Sequence, residues 1–499
     1  MAPASRRRPR LASILRALAP RRARRGADGP RPPNILLVVS DEHNASVAGF
    51  DGNPLAVTPH LDALAARGVA FDACYCNSPL CGPSRLSLTA GRYISRVGAW
   101  GNACWLPSDD HPSIARVLGT AGYDAILCGK QHYDATRRYG FTELGRWRTN
   151  RYHKTGLVRR RAPDDLAPPA GISRRFASFR TGEDSPVLRH DREVTRRAAS
   201  FLARRRRADP PFFLFVGYLA PHFPLIVPER CWEPFRGRVP LPRIPAGYLE
   251  TLPRNYKHLR AAFSLVGVPE ETVRLGRELY YGLTRWLDEQ IGALLEALAR
   301  SRVADDTLVI YTSDHGENLG EHGLWWKNCM FDSAARVPLL VSWPARWAGG
   351  QRRAAACSLV DLVRTLVELG GGKAPDDWNG DSLRGWLDDP GSPWKDRAVS
   401  EYYGHNVASA FSMIRSDGWK YVYHTPPDAR HPAERELYDL GADPGELSNR
   451  AAQPEQRERL ERMHEALVRE IGEDPDQTDL RCRAEVARGY GRGGGRGRS

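Results

Sequence analysis

The feature that most constrains this chain is a repeated alternation of short apolar runs and helical patterns. Continuous apolar runs occupy residues 34–40, 124–128, 212–217 and 307–312, and each has the length of a strand that is buried on both faces. Amphipathic helical patterns stand between them, the longest over residues 270–301. Parallel strands need crossover connections, which are usually helices. The sequence therefore predicts an α/β fold with a large, mostly parallel central sheet that is flanked by helices.

Polar or ionisable residues follow each of these four apolar runs. Asp41 and Glu42 follow the first run, Lys130 the second, His222 the third and Asp314 the fourth. In open α/β sheets, sites form outside the carboxyl ends of the strands. We therefore expect these side chains to meet at one edge of the sheet.

The chain divides into four segments by its pattern. Residues 33–375 carry the α/β alternation, and residues 376–478 combine β-rich runs with a closing helix. The β-rich runs flank a hairpin signal at residues 416–419, which predicts a smaller α+β domain with an antiparallel sheet. Disorder is predicted for the basic N-terminal extension, residues 1–32, and for the Gly/Arg-rich tail, residues 479–499.

The formal net charge of +14 invites a nucleic-acid-binding interpretation. Its distribution argues against this interpretation. Residues 1–32 hold ten arginines and one aspartate, and residues 481–499 hold six arginines and one glutamate, so the body of the chain is neutral. A neutral body does not suit a surface that follows phosphates, and no nucleic-acid partner is expected. No apolar run has the roughly 18 residues of a membrane span.

Nine cysteines are present, an odd number without the spacing of a zinc module. Free cysteines are typical of reducing compartments. The apolar stretch at residues 11–20 is short for a secretory signal and is interrupted by Arg16. A cytoplasmic location is therefore predicted.

The strongest local motif is CGPSR at residues 81–85, followed by LTAGR at residues 88–92. It resembles the signature of the sulfatases. The resemblance implies that Cys81 is oxidised to formylglycine (3-oxoalanine), whose hydrate supplies the nucleophilic oxygen. A gem-diol can attack sulfur and then eject sulfate by collapsing to the aldehyde, whereas a serine sulfate ester would be hard to clear. Pro83 suits the first turn of a helix, so Cys81 is expected near a helix N-terminus, which favours an anion.

The resemblance extends over about residues 33–455, with further motifs in the same order. They are GKQH at residues 129–132, APH at 220–222, SDHG at 313–316, LWWK at 324–327 and LYDL at 437–440. The resemblance is closest to the choline-sulfatase-like bacterial members. It implies an alkaline-phosphatase-like catalytic sulfatase domain over residues 33–375. The expected activity is that of a sulfuric ester hydrolase, which converts sulfate monoesters into alcohol and sulfate.

The resemblance also implies one divalent metal. Asp41, Asp314 and His315 match ligand positions of the family, and the residue derived from Cys81 completes the set. Glu42 is a further ligand candidate at a position where relatives often have Asp, Asn or Gln. Carboxylate oxygens suit Ca²⁺, Mg²⁺ or Mn²⁺, and His315 shifts the preference towards Mn²⁺. We expect Ca²⁺ or Mn²⁺.

Three cationic side chains match residues of the family that bind sulfate and position the nucleophile. Lys130 and Lys327 are expected to donate charged hydrogen bonds to sulfate oxygens. Arg85 stands four residues after the nucleophile, on the same helix face. It resembles the family's arginine that steadies the formylglycine and the metal.

Two histidines are candidates for proton transfer, because an alcohol leaves poorly unless it is protonated. By resemblance, His132 assists the breakdown of the hemiacetal and His222 protonates the departing alkoxide. Asn102 resembles an asparagine of choline-sulfatase-like members and is expected to line the substrate pocket.

The alcohol portion of the substrate stays open between choline, a sugar and an aryl group. A choline site needs aromatic rings and a carboxylate, which Glu401, Tyr402 and Tyr403 offer. The alternative activity is that of a phosphonate monoester or phosphodiester hydrolase with the same formylglycine site.

The expected partners are a small-molecule sulfate ester and a formylglycine-generating enzyme. The sequence leaves open whether the chain forms a homo-oligomer.

Overall fold

The computed structural model describes residues 31–152 and 158–488. The extension predicted for residues 1–32 therefore lies almost entirely outside the described residues. The strands in chain order are β1 (Asn34–Asp41), β2 (Val69–Tyr75), β3 (Asp124–Gly129), β4 (Thr142–Glu143), β5 (Arg180–Thr181), β6 (Phe212–Pro221), β7 (Ile226–Val227), β8 (Thr307–Ser313), β9 (Leu339–Ser342), β10 (Gln351–Ser358), β11 (Arg397–Tyr402), β12 (Phe411–Ser416), β13 (Trp419–His424) and β14 (Glu434–Asp439).

The α-helices connect and cover these strands. In chain order they are α1 (Pro59–Ala66), α2 (Cys81–Ala90), α3 (Ile94–Val97), α4 (Ile114–Thr120), α5 (Pro186–Arg204), α6 (Glu229–Trp232), α7 (Tyr248–Thr251), α8 (Arg254–Ala262), α9 (Glu270–Arg300), α10 (Asp332–Ala335), α11 (Leu359–Leu369), α12 (Arg384–Asp388), α13 (Arg457–Ile471) and α14 (Pro475–Ala487). Short 3₁₀ turns add to them, including one at Arg174–Ser178.

The central sheet has eight strands in the order β10-β2-β9-β8-β1-β6-β3-β4. Strand β1 pairs in parallel with β6 and β8, and β3 pairs in parallel with β6. Strand β9 runs antiparallel to both of its neighbours. Because β8, β1, β6 and β3 are adjacent and parallel, their carboxyl ends meet at one edge. The predicted large, mostly parallel sheet is confirmed.

Side chains of β1 alternate between two apolar layers, as successive residues of a strand must. Leu37 lies in the same cluster as Leu86 of α2. Leu36 lies in the opposite cluster with Leu188 of α5 and Leu283 of α9. Helices thus cover both faces of the sheet, which explains why β1 is apolar along its whole length.

A second sheet, β11-β12-β13-β14, is antiparallel throughout. Strands β12 and β13 are joined by a two-residue loop, Asp417 and Gly418, with φ of 50° and 77°. Two positive φ values are what a type I′ hairpin turn requires. Helix α13 packs Leu460 and Leu467 against this sheet. The predicted antiparallel C-terminal sheet and its hairpin are confirmed.

The prediction of a disordered tail from residue 479 is wrong for residues 479–487, which continue helix α14. Asp474 caps this helix, and Cys482 is completely buried against the main core. Trp100 Nε1 also donates a hydrogen bond of 2.6 Å to Glu485. These contacts order a segment that the sequence pattern groups with the Gly/Arg-rich tail. Residues 489–499 lie outside the described residues.

The nine cysteines are buried, and none forms a disulfide. The cytoplasmic location stays a prediction. Within the described ranges, no helix is both long and apolar enough to cross a lipid bilayer.

Candidate active site

The carboxyl edge of the central sheet gathers the side chains that the sequence singles out. Asp41 ends β1, Asp314 follows β8, Lys130 follows β3 and His222 follows β6. Glu42, directly after β1, has a φ of 69°, so the chain turns sharply as it leaves the sheet. The adjacency of four parallel strands therefore places residues from distant parts of the sequence at one site.

Cys81 lies in a buried cluster of acidic and histidine side chains. Its Sγ atom is 3.1 Å from His315 Nε2 and 3.6 Å from Asp41 Oδ1. His315 Nε2 is in turn 3.7 Å from one carboxylate oxygen of Asp41 and from one of Asp314. Cys81 also begins helix α2, as Pro83 predicts. The candidate nucleophile and the candidate metal ligands are thus within contact distance of one another.

Arg85 is completely buried one turn further along α2. Its Nε atom donates a hydrogen bond of 2.7 Å to Asp314 Oδ2, and Nη1 donates one of 2.9 Å to the carbonyl of Lys130. Its Nη2 lies 3.9 Å from Asp41 Oδ2. Although burial alone would raise the pKa of Asp314, Arg85, His315 and Lys130 hold it well below its usual value. Arg85 therefore fixes an ionised carboxylate beside the cysteine.

Two buried lysines stand beside the same cluster. Lys130 Nζ forms an ion pair with Asp41, and Lys327 Nζ donates a hydrogen bond of 2.9 Å to Glu42 Oε2. Burial lowers the pKa of Lys130 to about 8. Burial opposes the charge of Lys327 too, but the neighbouring Cys81 and Glu42 raise its pKa overall. Both lysines line the cleft that contains Cys81.

His222 contacts the same glutamate. Its Nε2 atom is 3.3 Å from Glu42 Oε2, and its Nδ1 atom is 2.5 Å from the carbonyl oxygen of Phe223. A carbonyl can only accept, so Nδ1 carries the hydrogen of this bond. Burial, together with Lys327 and Lys130, holds the pKa of His222 well below its usual value.

His132 has the opposite arrangement of its ring nitrogens. Its Nε2 atom is 3.1 Å from the carbonyl oxygen of Asn102 and carries the hydrogen of that bond. Its Nδ1 atom is buried and has no hydrogen-bond partner in the described part of the chain. The ring stacks on Tyr152, with the centroids 4.2 Å apart. Burial, followed by Lys130 and Arg85, lowers the pKa of His132 well below its usual value, so Nδ1 is a free lone pair.

A cleft of about 940 Å³ opens over Cys81. Asn102 lines it, and its Oδ1 atom accepts a hydrogen bond of 2.8 Å from the backbone N–H of Gly82. This bond satisfies one of the free N–H groups at the start of α2. Asn102 therefore anchors the first turn of the helix that presents Cys81, as well as lining the cleft.

Four side chains, with Cys81 among them, form a group that can hold a metal ion. Asp41, Cys81, Asp314 and His315 each offer a ligand atom, and these atoms lie within 4.8 Å of one another. Glu42 Oε1 is buried without a hydrogen-bond partner among the described residues. Glu42 also forms a second such group with Asp41 and His222, and a buried carboxylate oxygen without a donor is an arrangement that a cation stabilises. The residues fit a divalent metal with oxygen and nitrogen ligands.

The stretch of residues 401–403 does not line the cleft, contrary to its suggested role around choline. The Glu401 carboxylate accepts hydrogen bonds from Ser95 and from the hydroxyl of Tyr403. The Tyr402 hydroxyl donates to the carbonyl of His405 at 2.9 Å. These groups are buried and already bonded, because β11 lies inside the interface between the two sheets.

Two residues of the site region lie outside the predicted set. Glu317 Oε1 accepts hydrogen bonds from the backbone N–H groups of Leu319 and Trp326, which fixes the turn before Lys327. Its position directly after the SDHG motif is the signal that could have identified it. Arg175 lines the cleft from residues 140–190, a segment without clear periodicity and without such a signal.

Buried cations and a candidate metal site around Cys81, at the carboxyl edge of an α/β sheet, are features that suit an enzyme acting on an oxyanion ester. Comparison with known families identifies which one. Residues 33–372 match the sulfatase family, and residues 320–473 match the family described as N-sulphoglucosamine sulphohydrolase, C-terminal. The chain belongs to the sulfatase family and is a sulfuric ester hydrolase.

Two curated relatives cover most of the chain. The choline-sulfatase of Rhizobium meliloti (strain 1021) is 31% identical over an alignment of 452 residues, with 85% of this chain and 83% of the relative covered. The arylsulfatase K of Bos taurus is 27% identical over 498 residues, with 92% of this chain and 86% of the relative covered. The predicted resemblance to sulfatases is confirmed.

Solved structures share the fold. The phosphonate monoester hydrolase of Agrobacterium radiobacter superposes with a TM-score of 0.69 at 23% identity, covering 91% of this chain and 96% of that one. A protein solved with its substrate D-glucosamine-2-N,6-O-disulfate gives a TM-score of 0.68 at 22% identity, with coverage of 90% and 100%. At these identities the likeness concerns the fold alone.

Proposed function

We propose that this sulfatase hydrolyses sulfate monoesters with a formylglycine that is made from Cys81. The proposal is carried by the position of Cys81 Sγ, 3.1 Å from His315 and 3.6 Å from Asp41, in a cleft that Lys130 and Lys327 also line. Burial raises the pKa of the Cys81 thiol to about 12, so the unconverted side chain is neutral and a poor nucleophile. A formylglycine supplies a hydrate oxygen for attack on sulfur and a collapse to the aldehyde that frees sulfate.

One divalent metal, Ca²⁺ or Mn²⁺, belongs to this proposal. Asp41, Asp314, His315 and residue 81 would hold it, with Glu42 as a further ligand. The unpaired Oε1 atom of Glu42 supports this assignment. When bound, the cation supplies positive charge against the sulfate oxygens and the nucleophile.

Lys130 and Lys327 bind the remaining sulfate oxygens in this proposal. Both ammonium groups are buried, and charged hydrogen bonds are stronger away from water. Asp41 and Glu42 orient the lysines through ion pairs, so little reorganisation is needed when sulfate arrives.

The histidines divide the proton transfers between them. Glu42 Oε2, 3.3 Å away, holds the Nε2 atom of His222 in position, and His222 is the group that donates a proton to the departing alkoxide. His132 has a free Nδ1 lone pair, which suits a base that accepts a proton from the residue at position 81. The two rings thus present different nitrogen atoms, Nε2 of His222 and Nδ1 of His132, for the two roles.

The second candidate is a phosphonate monoester or phosphodiester hydrolase. The residue pair Asp314 and His315 favours it, because the family members that carry His at the second position of this pair include such enzymes. Both substrate classes are monoanionic esters, so a difference in turnover between them does not arise from their net charge. A comparison of the two turnover rates therefore separates the two functions.

The test joins a covalent and a kinetic measurement. The protein is produced together with a formylglycine-generating enzyme, and the peptide over residues 68–92 is analysed by mass spectrometry. We expect loss of the thiol sulfur and two hydrogens and gain of one oxygen at position 81. We also expect faster turnover of 4-nitrophenyl sulfate than of 4-nitrophenyl phenylphosphonate.

Cys81→Ala is the control variant for this test. It is expected to lower the turnover of 4-nitrophenyl sulfate at least about a thousandfold, because the nucleophile is lost. Unchanged turnover in this variant would overturn the proposal. Faster turnover of the phosphonate ester would assign the second function.

A further inference from the structure

The cleft above the sulfate-binding lysines has an unusual charge. Its described lining contains five lysines and arginines but no aspartate or glutamate. Lys130 and Lys327 belong to the proposed sulfate site, which leaves Arg151, Arg159 and Arg175 around the space for the alcohol portion. A wall of this kind disfavours a cationic alcohol and favours an anionic one.

The three arginines differ in whether a carboxylate of the protein already pairs with them. Arg151 donates hydrogen bonds to the carboxylate of Glu143. Arg175 has no carboxylate partner among the described residues, and Arg159 has none either. An arginine that lines a cleft without a partner keeps its donors for a ligand.

Aromatic rings fix the position of Arg175. Its guanidinium carbon lies 4.5 Å from the ring centroid of Trp326, 4.6 Å from that of Phe223 and 5.2 Å from that of Phe263. Stacked rings restrict the side chain but leave the edge of its planar fork free to donate. Arg175 is therefore a preorganised hydrogen-bond donor for an anion. Most of the conformational entropy of its side chain is lost before a ligand binds.

The same rings relate Arg175 to the sulfate site. Lys327 Nζ lies 5.4 Å from the centroid of the Phe223 ring, and Arg175 lies 4.6 Å from it. Phe223 also stacks on His222, the proposed proton donor, with the centroids 4.1 Å apart. Because both cations contact one ring, they lie no more than about 10 Å apart, a range within which two anionic groups on a single substituted six-membered ring can reach them.

We propose that the preferred substrate is a sulfate ester whose alcohol portion carries a second anionic group, a carboxylate or a further sulfate, within one ring of the ester, and that Arg175 binds this group. The inference rests on the proposed sulfatase function. It argues against choline, because the guanidinium of Arg175 already occupies the aromatic faces that a trimethylammonium group would need.

The experiment compares esters that differ in one charge. The pair consists of 4-carboxyphenyl sulfate and its uncharged carboxamide analogue, and 1,4-phenylene disulfate and choline sulfate complete the set. We expect kcat/KM to be about 10- to 100-fold higher for the carboxylate than for the carboxamide, as a hydrogen bond between charged groups provides. The disulfate arm shows whether a second sulfate binds as well as a carboxylate does.

Arg175→Gln tests the residue itself. It is expected to remove most of the preference for the carboxylate and to leave kcat/KM for the carboxamide within about threefold. Arg175→Lys, which keeps the charge, should retain part of the preference. Arg174→Gln is the matched control, because Arg174 is the adjacent exposed arginine and does not line the cleft.

The outcomes separate this inference from the proposed function. Equal kcat/KM for the carboxylate and the carboxamide, an equal loss on both in Arg175→Gln, or the highest kcat/KM for choline sulfate would overturn the inference while hydrolysis of sulfate esters stands. If the protein carries the aldehyde at position 81 and cleaves none of the esters, the proposed function falls and the inference falls with it. Thermal unfolding of each variant identifies a loss that comes from misfolding.

Discussion

His222 Nε2 lies 3.3 Å from Glu42 Oε2, and the same carboxylate oxygen accepts a hydrogen bond of 2.9 Å from Lys327. One buried oxygen therefore orients both the proposed proton donor and one proposed sulfate ligand. The other ring nitrogen of His222 is fixed by the carbonyl of Phe223. Glu42 thus acts as a positioning residue for proton transfer, in addition to its proposed contact with the metal.

Glu42→Gln is expected to lower kcat for an alkyl sulfate by about a hundredfold, because an amide no longer holds the Nε2 atom of His222 in position for proton transfer. The loss for 4-nitrophenyl sulfate should be much smaller, since nitrophenolate leaves without a proton. Measurement of kcat for both esters in Glu42→Gln and in His222→Ala checks this. If Glu42→Gln lowered kcat for both esters equally, Glu42 would serve the sulfate or the metal alone.

Arg85→Lys is expected to weaken the binding of Mn²⁺ by about 10- to 100-fold, because residues that orient metal ligands have effects of this size. The guanidinium bonds Asp314 and the carbonyl of Lys130 at the same time, and an ammonium group cannot reproduce that geometry. Isothermal titration calorimetry measures the affinity. Arg92→Lys is the control, since Arg92 pairs with the exposed Asp377. Equal affinities of the two variants would contradict the prediction.

The sequence was sufficient to predict the sheet and the residues at its edge. Strands buried on both faces give apolar runs, and a parallel sheet brings their ends together, so Asp41 and Asp314 could be placed side by side without a structure. The motif around Cys81 then connected this edge to a helix N-terminus. These predictions depend on local patterns, which a sequence displays directly.

The remaining features depend on contacts between distant segments. Arg175 enters the cleft from a segment without periodicity, and its role follows from three rings that lie far away in the sequence. Glu401 looks like a free carboxylate in the sequence, but Ser95 and Tyr403 bond it. Helix α14 runs into the Gly/Arg-rich tail of the sequence, and its burial depends on the core that it meets. Composition and periodicity contain no information on such partners.

Lys420→Met is expected to lower the free energy of unfolding by about 3–5 kcal/mol, because it leaves buried carboxylates without their cation. Lys420 Nζ is completely buried, 2.5 Å from Asp332 and 2.6 Å from Glu446, and donates to the carbonyl of Met330 at 2.9 Å. The pair with Asp332 joins the C-terminal sheet to helix α10. Urea unfolding measures the change.

The control for this prediction is Arg462→Met. Arg462 pairs with Glu458 on the exposed face of α13, 2.7 Å apart, and such pairs contribute about 0–1 kcal/mol. A loss in Lys420→Met no larger than the loss in Arg462→Met would show that the buried network is relaxed by water or by rearrangement.

The same network predicts how stability depends on pH. Burial raises the pKa of Glu446 from 4.5 to about 7, Lys420 opposes this shift and Asp332 adds to it. The folded state therefore binds a proton at Glu446 more tightly than the unfolded state does. Its contribution to stability is complete below the unfolded pKa and is lost as the pH rises through about 7.

Glu446→Gln removes this proton linkage and keeps the shape of the side chain. The fall in the free energy of unfolding between about pH 5 and about pH 8 should therefore be smaller in Glu446→Gln than in the wild type. Urea unfolding at a series of pH values between these limits gives the free energy of unfolding against pH for both proteins. The contributions of all other titrating groups cancel in the difference between the two curves. If the two curves ran parallel, Glu446 would be ionised in the folded state throughout this range. Lys420 would then outweigh burial, and the carboxyl would contribute no pH dependence to folding.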